Sequence, residues 1–128
     1  MKGLILLILA TLLLLILTFV NVCIVLFKSI KKEGLKGFKT VSGYFKNSAL
    51  NLDVYAAKEF RAFWNATCQK DGYLFGQNDE SISYVLGINQ INGTLSFFGF
   101  VLCEILNIFE KNHCTEAVKL YNKKHNVK

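Results

Sequence analysis

The sequence predicts an all-α protein: an N-terminal transmembrane helix followed by a small helical module of about three to four helices. Three observations carry that expectation. The run from Gly3 to Phe27 contains no charged residue and is dominated by Leu, Ile and Val. The chain has no proline, so nothing sharply interrupts a helix. Beyond the run, apolar residues recur at spacings of three and four, without strand alternation of useful length.

The uncharged run is the first element. A helix over these residues is about 37 Å long at about 1.5 Å per residue, enough to cross a hydrocarbon core of about 30 Å with some tilt. A cleaved signal has an apolar core of only about 7–15 residues and a small-residue cleavage site. Here the exit reads Phe27-Lys28-Ser29-Ile30-Lys31-Lys32, and Val22 before Cys23 is too large for a lipoprotein site. An uncleaved anchor over residues 1–27 is therefore expected. Lys28, Lys31, Lys32, Lys36, Lys39 and Lys46 outnumber Lys2 and the α-amine on the other side. By the retention of positive charge inside, the N-terminus is expected outside and the rest of the chain cytoplasmic.

Residues 28–46 follow as a basic amphipathic juxtamembrane segment, weakened as a helix by Gly34, Gly37 and Gly43. Lys28, Lys31, Lys32, Lys36 and Lys39 are the residues expected on the membrane surface, where anionic headgroups attract each by about 1 kcal/mol. Residues 47–118 form the expected helical module. Asn51–Cys68 reads as one amphipathic helix capped by Asn51. Gln69–Gln77 reads as a loop with Gly72 and Gly76. A short helix then runs from Asn78-Asp79 to Leu86 and ends at Gly87. Ile88–Gly93 is read as a turn-rich connection. Thr94–Phe109 is strongly apolar and is expected as the central buried helix, with membrane insertion as its alternative. Glu104 on it would then need a partner, for which Arg61 is the candidate. Residues 119–128 form a basic tail.

The chain has 128 residues, of which 52% are hydrophobic, and a net charge of +6. Its acids cluster between Asp53 and Glu116, flanked by lysine-rich ends. The basic residues are not interleaved with a nucleic-acid-reading aromatic motif, so nucleic acid is not an expected partner. Cys23, Cys68, Cys103 and Cys114 lie at wide, irregular spacing without a C-x-x-C. Cys23 lies inside the run and the other three are an odd number, which fits a reducing compartment rather than a disulfide framework; Cys68 and Cys103 read as small buried apolar residues.

Two constellations carry chemical potential. Asp79-Glu80-Ser81-Ile82-Ser83 puts two carboxylates beside two hydroxyls, which suits a hard cation, acid–base work or plain helix capping. Asn112-His113-Cys114 puts two soft donors side by side, although neighbours on a helix point about 100° apart and a zinc site needs about four ligands. No cofactor motif is present.

Gly76, the Asp79–Ser83 run, Gly87, Asn112-His113-Cys114 and Ala117 together resemble a family of small phage and prophage proteins. Its pattern is a glycine, Asp-Glu-Thr-Ile-Ser-Ser, a glycine, an apolar helix and His-Cys. The likeness covers about Asn51–Val118; Ser81 stands where the family has Thr, and Tyr84 where it often has Ser. It implies a helical module in a phage or prophage setting and no activity. If the motif positions meet in space, Asp79, Glu80, Ser83, His113 and Cys114 form one polar cluster, with His113 holding the Asp79–Ser83 turn by hydrogen bonding. The expected function is a membrane-anchored interaction protein at a bacterial inner membrane, with no chemistry assigned, acting in lysis control, superinfection exclusion or host takeover. Its expected partners are the membrane, anionic lipid headgroups and a protein. One alternative is a tethered enzyme or metal-binding module built on Asp79, Glu80, His113 and Cys114. The other is a holin-like protein with 94–109 also inserted.

Overall fold

In a computed structural model of the chain, the described residues are 1–34 and 37–125, and among them lie six helices and no strand. Lys36, one of the expected membrane-surface lysines, and the last three residues of the expected basic tail lie outside the described residues. The chain divides into two compact units, Met1–Asn47 and Ser48–Lys128.

In the first unit, α1 spans Lys2–Glu33. It continues past Phe27 because no helix breaker follows, and Lys31 and Lys32 in its last turn suit the negative end of the helix dipole. Gly34 ends it at φ 58, a left-handed value that glycine adopts without steric cost. Lys2–Lys32 is long and apolar enough to cross a membrane, and none of its apolar window is buried in the protein. Its polar side chains find local partners, as an apolar surrounding demands. Thr11 Oγ1 donates to the carbonyls of Leu7 and Ile8 at 2.9 Å each, and Thr18 Oγ1 to Leu14 O at 2.7 Å. Asn21 Nδ2 donates to Tyr44 Oη at 2.9 Å. Tyr44 belongs to α2, Gly37–Glu59. Lys28, Lys31, Lys32 and Lys39 are all exposed.

The second unit holds α3 (Arg61–Thr67), α4 (Ile82–Ile91), α5 (Phe97–Phe109) and α6 (His113–His125). Its core gathers Cys68, Phe75, Tyr84, Val85, Leu86, Cys103, Cys114 and Val118. The expected helix Asn51–Cys68 is instead the end of α2 plus α3. Asn51 lies inside α2 rather than capping it, and the break falls at Phe60 (φ −99, ψ 23). At the break, Ala56 O accepts from both Phe60 N at 3.1 Å and the Trp64 indole Nε1 at 3.0 Å; a side chain competing for a ladder carbonyl is a known cause of such kinks.

The central helix is α4, not α5. It buries Ser83 through Gly87 and Asn89, starts at the cap Ser81 rather than at Asn78-Asp79, and runs through the expected Ile88–Gly93 connection as far as Ile91. Gly87 does not end it. A Cβ there would stand 2.2 Å from Cys114 O and 2.7 Å from Val118 Cγ2, so glycine is what lets α6 pack on α4. Tyr84 and Tyr121 have ring centroids 4.2 Å apart, and with Gly87 against Cys114 and Val118 this makes α4 and α6 antiparallel.

By contrast, α5 buries only Gly99 and Cys103, and starts at the cap Ser96, two residues after the expected Thr94. Glu104 is exposed and accepts from Asn107 Nδ2 at 3.3 Å, so it needs no buried partner; Arg61 Nη1 donates to Lys58 O instead. Cys103 and Cys114 form a disulfide with their Cα atoms 6.1 Å apart, tying α5 to the first turn of α6. This corrects the reading of Cys103 as a packed thiol and of the cysteines as free of disulfides. The two partners are 11 residues apart, without a recognisable cysteine spacing, and the α5–α6 turn brings them together.

Candidate functional site

The start of α4 is where the sequence motif acquires geometry. Ser81 Oγ accepts from Tyr84 N at 3.2 Å and lies 3.1 Å from Ser83 Oγ. Asp53, from α2, reaches the same turn. Its Oδ1 accepts from Ile82 N at 3.2 Å and its Oδ2 from Ser83 Oγ at 3.3 Å. A carboxylate at a helix N-terminus meets unpaired N–H donors and the positive end of the dipole. Burial is the largest influence on Asp53 and pushes its pKa up, against the hydrogen bonds from Ile82 and Ser83 and the nearby charge of His113, which pull it down.

Glu80 points the other way and is buried, 3% exposed. Its Oε1 accepts from Tyr73 Oη at 2.7 Å and Asn78 Nδ2 at 3.2 Å, while Oε2 has no hydrogen-bond partner. Burial, then the hydrogen bond to Glu80 and its charge, push Tyr73 up to about 12. Tyr84 and Tyr121 are raised by burial first and by Glu80 second. Asp79 is exposed and pairs with Lys58 of α2, whose hydrogen bond holds its carboxyl below the usual range.

His113 does not hydrogen-bond to Asp79, Glu80 or Ser83. Its Nδ1 pairs with Glu110 Oε2 at 2.9 Å, and its N–H donates to Asn107 Oδ1 at 3.1 Å and Glu110 O at 3.0 Å. The Asp79–Ser83 turn is held instead by Asp53 and Lys58. By helix periodicity Asp53 falls on the polar face of its helix, away from Leu52, Tyr55 and Ala56. No local signal pairs it with residues about thirty positions away; the long-range fold does. Cys114, locked to Cys103, offers neither a thiolate nor a metal ligand. Among the described residues no group of three or more His, Cys, Asp or Glu side chains could hold a metal ion.

Asn89 is the other residue that the motif reading missed. It is fully buried, and all its polar atoms are used. Oδ1 accepts from Tyr73 N at 2.8 Å and Thr94 Oγ1 at 2.6 Å; Nδ2 donates to Tyr73 O at 2.8 Å and Val85 O at 3.0 Å. It clamps the 69–81 loop to α4. The resulting arrangement is a set of structural locks: apart from Glu80 Oε2, its carboxylates and hydroxyls are occupied by neighbouring side chains and by backbone donors.

No family model matches this chain, and neither the curated proteins nor the solved structures include a similar one.

Replacing Asp53 tests the α4 cap. Asp53→Ala leaves the Ile82 N–H and the Ser83 hydroxyl without their acceptor and should cost about 1–2 kcal/mol. The raised pKa sets the sign with pH: the folded state binds the proton more tightly than the unfolded one. Stability from this group is therefore complete below the ordinary carboxylate value of 3.8 and is lost as pH rises through the raised folded value. Asp53→Asn should flatten that slope in urea melts compared at pH 4 and pH 7; an unchanged slope assigns it to other carboxylates.

Proposed function

We propose that this chain is a single-pass, membrane-anchored interaction protein without chemistry of its own, of the phage or prophage kind that its Asp79–Ser83 and His113-Cys114 motif resembles. The observation that carries the reading is α1, whose apolar side chains stand exposed along almost its whole length, as a lipid surrounding favours. Against an enzyme stand the occupied state of Asp53 and Asp79, the burial of Glu80 beneath Tyr73 and the loss of the Cys114 thiol to a disulfide. The setting that fits is control of an envelope process such as lysis or superinfection exclusion, through a protein bound by the helical module.

Two features bear on sidedness and oppose each other. The lysines after α1 favour a cytoplasmic module. The Cys103–Cys114 disulfide needs an oxidising compartment to persist. The lysine rule is a bias at insertion, which short anchors violate, whereas a disulfide is lost wherever glutathione and thioredoxin reach it. We therefore place the module on the oxidising face of a bacterial inner membrane.

Alkaline phosphatase fused after Lys128 should then be active, and Leu14→Arg, at a cost of about 2.5–3.5 kcal/mol on insertion scales, should remove the protein from the membrane fraction. An inactive fusion together with alkylatable Cys103 and Cys114 places the module inside. A Leu14→Arg chain that still pellets with membranes overturns the anchor.

A further inference from the structure

We infer that the outward face of α5, continued by Phe63 of α3, lies in the plane of the lipid surface as a second membrane contact of the module. At about 100° per residue, Phe97, Phe98, Ile105, Ile108 and Phe109 fall on one arc of α5. Gly99 and Cys103 face the opposite way, into the core, with Gly99 close against Cys68 O. The arc is bare. Phe97, Ile108 and Phe109 are 79%, 80% and 84% exposed. Phe98 meets Phe63 edge-on with centroids 6.2 Å apart, and Phe63 is itself half exposed, so the apolar surface continues from α5 onto α3.

Such a contiguous patch of Phe and Ile marks a contact surface. Three observations select lipid as its occupant. The inference rests on the anchor reading: α1 ties the module to a bilayer, so lipid is present at high effective concentration whatever else is bound. A 13-residue helix is about 20 Å long, too short to cross a core of about 30 Å but suited to lying in the interface. The chemistry also fits. Protein hot spots favour Trp, Tyr and Arg within a polar rim, whereas this arc carries only aliphatic and Phe side chains. The one acid of α5, Glu104, falls just outside the arc, about 20° beyond Phe97 and bonded to Asn107, where it reaches the headgroup layer. The inserted form of the holin-like alternative would instead bury Glu104 in hydrocarbon, which lying in-plane avoids.

The test uses the full chain in phosphatidylcholine vesicles, with a tryptophan added at an exposed site. Ile108→Trp reports the arc; Leu120→Trp, on the exposed side of α6, serves as the reference. With lipids brominated at mid-chain, the emission contributed by Ile108→Trp should fall by at least about half, while that of Leu120→Trp stays within the change seen for the parent, whose only tryptophan is Trp64. Adding Phe97→Glu and Ile105→Glu should return Ile108→Trp to the reference level, with the chain still floating with the vesicles through α1. A floating chain in which Ile108→Trp is not quenched overturns the inference; if crosslinking then yields dimers through α5, the face belongs to a second copy. A chain that does not float overturns the anchor reading and this inference together.

Discussion

Gly87→Ala should unfold or nearly unfold the helical module while leaving α1 in the membrane. The added methyl would stand 2.2 Å from Cys114 O and 2.8 Å from Cys114 C. These are backbone atoms, so no rotamer change relieves the clash. The first turn of α6 would have to lift from α4, which separates Val118 and Tyr121 from the core and strains the Cys103–Cys114 tie. Overpacking typically costs about 1–3 kcal/mol, and a contact with fixed backbone belongs at or above the top of that range. A module of this size has about 4–12 kcal/mol in all. In detergent micelles, the urea midpoint read from Trp64 should fall by about 2 M, at a slope of about 1–1.5 kcal/mol per molar. A midpoint within about 0.3 M of the parent would mean that α6 does not pack on Gly87 as described.

Asn89→Ala should cost about as much by a different route. It leaves the Tyr73 N–H, the Tyr73 carbonyl and the Thr94 hydroxyl without their buried partner, each orphaned group costing about 1–3 kcal/mol before relaxation. With water entering and the loop shifting, about 3 kcal/mol is expected, together with faster amide exchange over residues 69–81. Thr94→Val alone should cost about 1 kcal/mol. The double variant should cost less than the two singles combined, because both remove the same hydrogen bond. Strict additivity would show that Thr94 and Asn89 do not act through each other. Asn89→Asp is no rescue: it keeps an acceptor for Tyr73 N but removes the donor to Tyr73 O and buries a charge.

How far each element was readable follows from the range of the interactions that create it. Residues Gly3–Phe27 specify their helix locally, because an uncharged run without proline has no competing conformation. The end of α1 at Gly34 is likewise a local effect, since glycine accepts φ 58 where other residues resist it. The all-α class and a loop over most of 68–81 also follow from spacing and composition. The boundaries of α4 do not. Gly87 is a helix terminator by propensity, yet α6 lies against it so closely that only glycine fits, and tertiary packing overrides a preference of about 1 kcal/mol.

Burial was the larger reversal. Composition makes α5 the obvious core helix, for it is more apolar than α4 or α6. The fold buries α4 instead, because Gly87 and Gly99 set how closely the backbones approach, and α5 fully buries only Gly99 and Cys103, with Leu102 and Leu106 half-buried against the core. Its phenylalanines and isoleucines are left outside. The same distinction governs the polar groups. The Asp79–Ser83 motif announces a helix start, which is local chemistry. That Asp53 rather than His113 holds this start is a long-range pairing, and that Glu80 lies beneath Tyr73 and Cys103 finds Cys114 depends on how the intervening loop and turn fold back. By itself the sequence determined a membrane-length helix and an all-α module behind it. Only the tertiary structure decided which apolar helix is the core and which residues lock the motif, because hydropathy measures what a residue prefers, and packing decides which preferences can be satisfied at once.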